Sequence, residues 1–226
     1  MPYPLPFGVL GGTFDPPHSG HLALAECARV QFALGRVLFV PAGDPWRKTG
    51  SGPRPEARGP SPSPTAAPTE SGQARDISPA AHRLAMVRLA IAGNPAFAVD
   101  ERELRRPGPS YTVDTLEELR AELGAESSIV NRQSSIVLVL GADALDDLPH
   151  WKDPARIFEL ARVAVAPRPG HPAPTAGPSA LTVEMPPLAI TSSDIRARLA
   201  AGKPIRYLVP DAVAAYIAEH GLYRPG

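Results

Sequence analysis

The chain holds a single cysteine, Cys27, among 226 residues. No intrachain disulfide and no thiolate zinc site can therefore form. Net charge is also lacking, since 23 Lys and Arg balance 23 Asp and Glu. No global field draws in nucleic acid or an anionic membrane surface, so any phosphate chemistry must come from a local cluster. No apolar run approaches membrane-spanning length. Met1 to Pro6 lacks a basic segment followed by an apolar core, so a secretory signal is not expected. A soluble cytoplasmic protein, with neither nucleic acid nor membrane as partner, is the default. Cys27 falls inside a helix-like run and reads as a small core residue.

The length gives room for one domain, residues 1–226, with a substantial core. Strand-like and helix-like runs alternate along it. Val9–Gly11, Val37–Val40, Phe97–Val99, Ile136–Leu140 and Val163–Ala166 read as strands. Gly20–Leu34, Pro79–Ala92 and Thr112–Leu123 read as helices. Ile136–Leu140 is a continuous apolar run, the pattern of a strand covered on both faces. The alternation predicts an α/β fold: an open, mostly parallel sheet with helices on both faces and right-handed crossovers. A small helical segment, 191–226, closes the chain. Its helices Ser193–Ala201 and Asp211–Glu219 are stopped by Gly202 and Gly221. Residues 50–77 break the rhythm with six prolines among serine, glycine and alanine. They cannot bury enough apolar surface to order themselves and read as a disordered loop insertion. Pro167–Pro178 is a shorter connection of the same kind.

The chemistry concentrates at the first strand-to-helix junction, Gly11-Gly12-Thr13-Phe14-Asp15-Pro16-Pro17-His18-Ser19-Gly20-His21. Open α/β sheets bind ligands outside the carboxyl ends of their strands. A helix start adds unpaired N–H groups and a partial positive charge, which favour phosphate. His18 and His21, three apart at that helix start, can present both rings to one side. Gly20 between them lets a ligand approach the backbone. A paired-histidine metal site is the rival reading, but only Asp15 offers a third ligand nearby. Asp15, before two prolines, reads as fixing the turn.

The segment His18-Ser19-Gly20-His21 resembles the H-x-G-H signature of the nucleotidyltransferase superfamily. Four further segments narrow the resemblance to bacterial nicotinate-nucleotide adenylyltransferases. They are Val40–Lys48, Pro109–Leu116, Gly141–Leu145 followed by Trp151, and Ile190–Arg196. The sequence departs from that family's pattern in Thr191 and Ser193, which exchange serine and threonine, and in Trp46, where many members carry a histidine. The resemblance implies a Rossmann-like fold and a transfer in which a mononucleotide phosphate attacks the α-phosphorus of ATP, releasing pyrophosphate. It implies catalytic roles for His18, His21, Lys48 and Arg196. Gly11, Gly12, Thr13, Phe14, Gly20, Arg47, Ser192, Ser193 and Ile195 would bind ATP. Tyr111, Thr112, Gly141, Asp143 and Trp151 would bind nicotinate mononucleotide, with the indole stacking on the pyridine ring and Asp143 on a ribose hydroxyl. A protonated imidazole beside phosphate would add charge stabilisation. Mg²⁺ would arrive with ATP, with no dedicated protein cage. Alternative readings are a sister enzyme accepting phosphopantetheine or nicotinamide mononucleotide, and a nucleotide-binding module without turnover. Oligomeric state is left open, a homo-oligomer included.

Overall fold

The computed structural model describes residues 6–45, 77–123, 135–167 and 180–224. Six strands form one sheet in the order β3-β2-β1-β4-β5-β6. They are β1 (Phe7–Gly12), β2 (Arg36–Pro41), β3 (Phe97–Val99), β4 (Ile136–Gly141), β5 (Arg162–Ala166) and β6 (Ala180–Thr182). Every pairing is parallel. Parallel neighbours need crossovers, and the helices supply them.

Side chains in a strand alternate between faces, and the burial follows that period. Phe7, Val9, Leu38, Val40, Ile136, Leu138, Leu140, Val163 and Val165 enter one core cluster. Leu10, Val37, Phe39, Val137, Val139, Ala164 and Ala166 enter another. Both faces of the sheet are thus apolar and must be covered. The first is covered by Val113, Leu116 and Leu119 of one helix (Thr112–Leu123) and by Ile157 and Leu160 of another (Pro154–Leu160). The second is covered by Leu24, Ala25 and Ala28 of α1 (Ser19–Gln31) and by Val87 and Ile91 of α2 (Ala80–Ile91).

The remaining helices are α3 (Arg102–Arg105), α4 (Thr112–Leu123), α5 (Ala142–Asp147), α6 (Pro154–Leu160), α7 (Ser192–Ala200) and α8 (Asp211–Glu219). A third cluster joins the last two to α2 through Met86, Ile195, Ile205, Val209, Val213 and Ile217. The closing helical segment is therefore anchored on the main fold, and its stop glycines take left-handed φ values of 65° and 60°. No described helix is long and apolar enough to cross a membrane.

The structure departs from the sequence reading at several elements. The sheet is wholly parallel among the described strands, and β6, α3, α5 and α6 were not foreseen. The first helix ends at Gln31 rather than Leu34, because Ala33 takes a left-handed φ of 51° without being glycine. The proline-rich stretch up to Asp76, and most of Pro167–Pro178, lie outside the described residues.

Candidate active site

The chain runs from β1 to β2 on one side and places β4 on the other, so the sheet order reverses beside β1. Ligands of open α/β sheets bind in the crevice at such a point. A two-lobed cleft opens there, its lobes sharing Gly11, Gly12, Thr13, Gly141, Asp143 and Ser193.

The first lobe, about 390 Å³, contains both histidines and Arg196. His18 caps α1 in an extended conformation. Its ring stacks on His21, centroids 3.6 Å apart and planes 27° from parallel. The His18 N–H donates to Nδ1 of His21 at 3.2 Å. A neutral His21 therefore carries its proton on Nε2. His18 is only 7% exposed, and burial pulls its pKa down to about 4. Its ring is neutral at neutral pH before a substrate arrives, a state that the sequence alone leaves open. Its Nδ1 is buried without a hydrogen-bond partner. Gly20 lines the same lobe and has a packing reason as well. A Cβ there would sit 3.0 Å from His18 Nδ1, so the glycine makes room for the ring.

The loop carrying the histidines is held from below. Phe14 is buried with φ of 52°, and its ring meets His21 edge-on at 5.0 Å. A Cβ on Gly12 would lie 3.1 Å from the Phe14 ring, whereas one on Gly11 would meet nothing within 4 Å. Gly12 thus serves packing, and Gly11 faces open cleft. Asp15 is buried; its carboxylate accepts from the Tyr223 hydroxyl at 2.5 Å and from the Ser78 N–H at 3.3 Å. Its main-chain carbonyl accepts from Arg196 Nη1 at 2.6 Å. The Ser192 hydroxyl donates to the Pro16 carbonyl at 2.9 Å, so the start of α7 is clasped onto the same loop. Thr191 caps α7 by accepting the Asp194 N–H at 3.0 Å. Arg83, 2% exposed, donates to the carbonyls of Ser78, Thr13, Ala42 and Gly43 at 3.0, 3.0, 2.6 and 3.2 Å.

The second lobe, about 750 Å³, contains Ser110, Tyr111, Thr112, Trp151, Lys152 and Glu103. Thr112 opens α4. Trp151 packs on the first core cluster, and its indole N–H donates to Asp147 at 3.3 Å. Lys152 Nζ lies 4.8 Å from the Tyr111 ring centroid and 2.7 Å from Asp114. Beneath them Glu103 is buried and accepts from the Thr115 hydroxyl at 2.7 Å. Burial holds its carboxyl above the usual range. Asp143 stands exposed on the first turn of α5, at the mouth of both lobes.

Comparison with known proteins agrees with this geometry. A family model described as cytidylyltransferase-like matches residues 9–58 and 63–198. A protein of Roseiflexus sp. (strain RS-1) named "Probable nicotinate-nucleotide adenylyltransferase" is 45% identical, over 97% of this chain and 98% of its own length. One of the same name from Thermomicrobium roseum is 43% identical, over 96% and 91%. The chain belongs to the nicotinate-nucleotide adenylyltransferase branch of the cytidylyltransferase-like family. Its fold is shared with Plasmodium falciparum nicotinic acid mononucleotide adenylyltransferase complexed with NaAD. That structure matches with TM-score 0.67 at 16% identity, covering 96% of each chain. The same enzyme complexed with APC gives 0.68 at 15%, covering 97% of this chain and 98% of that one.

Within this nucleotidyltransferase the cleft gathers most residues that the sequence singled out. Gly11, Gly12, Thr13, Phe14, His18, Gly20, His21, Ser192, Ser193 and Arg196 line the first lobe; Tyr111, Thr112 and Trp151 line the second. Ile195 does not join them. Its side chain is fully buried in the third cluster, and its N–H is bonded to the Thr191 carbonyl at 3.1 Å. Trp46, Arg47 and Lys48 lie outside the described residues. Sequence reasoning missed Arg83, Glu103 and Tyr223. Arg83 left a signal, since it interrupts the stripe of Met86, Val87 and Ile91 on the buried face of α2. A cation on an apolar face needs buried acceptors.

Proposed function

We propose that the protein joins nicotinate mononucleotide and ATP into nicotinate adenine dinucleotide and pyrophosphate, a step of NAD biosynthesis in the cytoplasm. The observation that carries this reading is the stacked His18–His21 pair and Arg196 in one lobe, directly continuous with a lobe holding Thr112 and Trp151.

In the reaction a phosphate oxygen of the mononucleotide forms a bond to the α-phosphorus of ATP. The bond from that phosphorus to the bridging α–β oxygen breaks, and pyrophosphate leaves. No covalent enzyme intermediate is required, so positioning and charge stabilisation do the work. Adenosine and triphosphate occupy the first lobe along Gly11, Gly12, Thr13 and Phe14. His21 Nε2–H and the neutral His18 ring donate to phosphate oxygens. Phosphate charge beside His18 offsets the desolvation that now keeps the ring neutral. Arg196, Ser192 and Ser193 meet the leaving phosphates at the start of α7, with Arg47 and Lys48 as further cations. Magnesium enters as part of the MgATP substrate, keeping most of its waters. Asp15 is not its ligand in this scheme, because its carboxylate is already taken by Tyr223 and Ser78.

Nicotinate mononucleotide occupies the second lobe. Its electron-poor ring stacks on Trp151, and its carboxylate meets the N–H groups at the start of α4 beside Tyr111 and Thr112. Gly141 gives access to the ribose, whose hydroxyls donate to Asp143. Pyrophosphate release is measured with ATP and each of nicotinate mononucleotide, nicotinamide mononucleotide and phosphopantetheine. Turnover with the nicotinate acceptor foremost is expected. Turnover with phosphopantetheine alone would overturn the assignment of the second lobe.

A further inference from the structure

We propose that Tyr223 is a positioning residue for adenylyl transfer: its hydroxyl satisfies the buried Asp15 carboxylate and thereby leaves the Arg196 guanidinium available to phosphate. The inference rests on the reading that Arg196 meets the triphosphate.

Tyr223 lies 208 residues from Asp15, yet its hydroxyl donates to Asp15 Oδ1 at 2.5 Å. It does so from a left-handed backbone, φ 64°, in a non-glycine residue. Such a conformation persists where surrounding contacts over-determine it. Asp15 is 3% exposed, so its carboxylate has little water to fall back on. Its other oxygen is bonded to the Ser78 N–H. Burial pushes the Tyr223 hydroxyl pKa upward, so the group stays a donor at any working pH.

The cation at risk is Arg196. One of its Nη atoms already sits on the Asp15 carbonyl at 2.6 Å, and the other is 3.3 Å from the Ser193 hydroxyl. Arg83, the other nearby cation, is committed to four carbonyls. Removing the Tyr223 hydroxyl leaves a buried carboxylate oxygen without its donor, which is strongly unfavourable. Arg196, held there by a carbonyl and a hydroxyl, is then recruited as an ion-pair partner. Arg196 turns from the first lobe toward Asp15, and the damage falls on ATP and the chemical step. The second lobe meets this network at Ser193, which lines both lobes, whereas Thr112 and Trp151 line the second lobe alone.

The test is steady-state kinetics on Tyr223→Phe, which keeps the ring and its packing. We expect kcat to fall about tenfold and the KM for ATP to rise, with the KM for nicotinate mononucleotide within about twofold. Tyr223→Phe combined with Asp15→Asn should recover most of that loss, because an amide does not compete for arginine. A purely structural tyrosine would instead raise both KM values together, and the two substitutions would add. That pattern, or unchanged kinetics in Tyr223→Phe, overturns the proposal. Arg196→Ala is measured alongside: its retaining full activity would refute the reading of Arg196 itself. Its losing ATP use while Tyr223→Phe stays normal would refute only the positioning role.

Discussion

The two lobes of the cleft rest on buried ionisable groups of opposite kind. Under the first lobe a cation, Arg83, gathers the carbonyls of Thr13, Ala42, Gly43 and Ser78. Under the second lobe a carboxyl, Glu103, gathers the hydroxyls of Thr115 and Ser110. The two foundations meet at Gly43, whose carbonyl accepts from Arg83 and whose N–H donates to Ser110 Oγ at 2.9 Å. A Cβ there would lie 2.2 Å from the Glu103 carbonyl oxygen, so no other residue fits without moving the backbone. The difference teaches that such loops are fixed less by their own sequence than by a buried ionisable side chain that needs their polar groups. A guanidinium suits four carbonyls because it offers five donors in a rigid plane. A carboxyl suits hydroxyls because it accepts.

Breaking the cationic foundation is expected to have the largest effect. Arg83→Ala leaves four carbonyls without their donor and should cost about 3–5 kcal/mol of stability. Lysine, a point charge with three donors, should recover only part of that. Denaturant unfolding reads both; a loss below about 1 kcal/mol would show that water replaces the guanidinium readily.

The lobes should also respond oppositely to acid. His18 has a folded pKa of about 4, against an ordinary value of 6.5, so the unfolded chain binds its proton first. Stability from this group is intact above pH 6.5 and falls as pH drops toward 4, by on the order of 3 kcal/mol at most. The raised carboxyl of Glu103 has the reverse sign. Its folded form takes a proton before the unfolded one does, so its contribution grows as pH falls through the folded value and is lost as pH rises. His18→Gln should flatten the decline below pH 6.5, and Glu103→Gln should steepen it. Unfolding free energies measured across pH 4 to 8 test both signs, and equal slopes in both variants would sink the comparison.

Function separates the lobes as well. If His21 donates to phosphate as proposed, His21→Ala should lower kcat about a hundredfold or more, with the protein still folded. Near-normal turnover would deny His21 that role.

The same contrast explains what the sequence reveals. Strand periodicity, the Gly11–His21 junction and the apolar Ile136–Leu140 run are local patterns, and the structure places each as read. The two histidines and Thr112 were legible because a strand-to-helix junction and a helix start are themselves local. Arg83, Glu103 and Tyr223 were not, because their meaning lies in partners far along the chain: 41 residues from Arg83 to Ala42, and 208 from Tyr223 to Asp15. The early stop of α1 was hidden because alanine, not glycine, takes the left-handed turn at position 33. Helix α6 did carry a signal that went unused. Asp153 caps it by accepting the Arg156 N–H, and Pro154 occupies its first turn.

The smallest expected effect is also the most selective. Trp151 contributes one face to the second lobe and packs on the core cluster beneath that lobe. Replacing it by alanine removes both, so a general loss of stability could imitate a loss of binding. Phenylalanine separates them, since it keeps apolar packing and a flat ring while giving up the indole N–H bond to Asp147. If the indole is a stacking platform, Trp151→Ala should raise the KM for nicotinate mononucleotide about tenfold with the KM for ATP nearly unchanged, and Trp151→Phe should retain most affinity. If both substrates weaken equally in the alanine variant, the tryptophan only fills the core, and recognition of the nicotinate ring must come from the start of α4 alone.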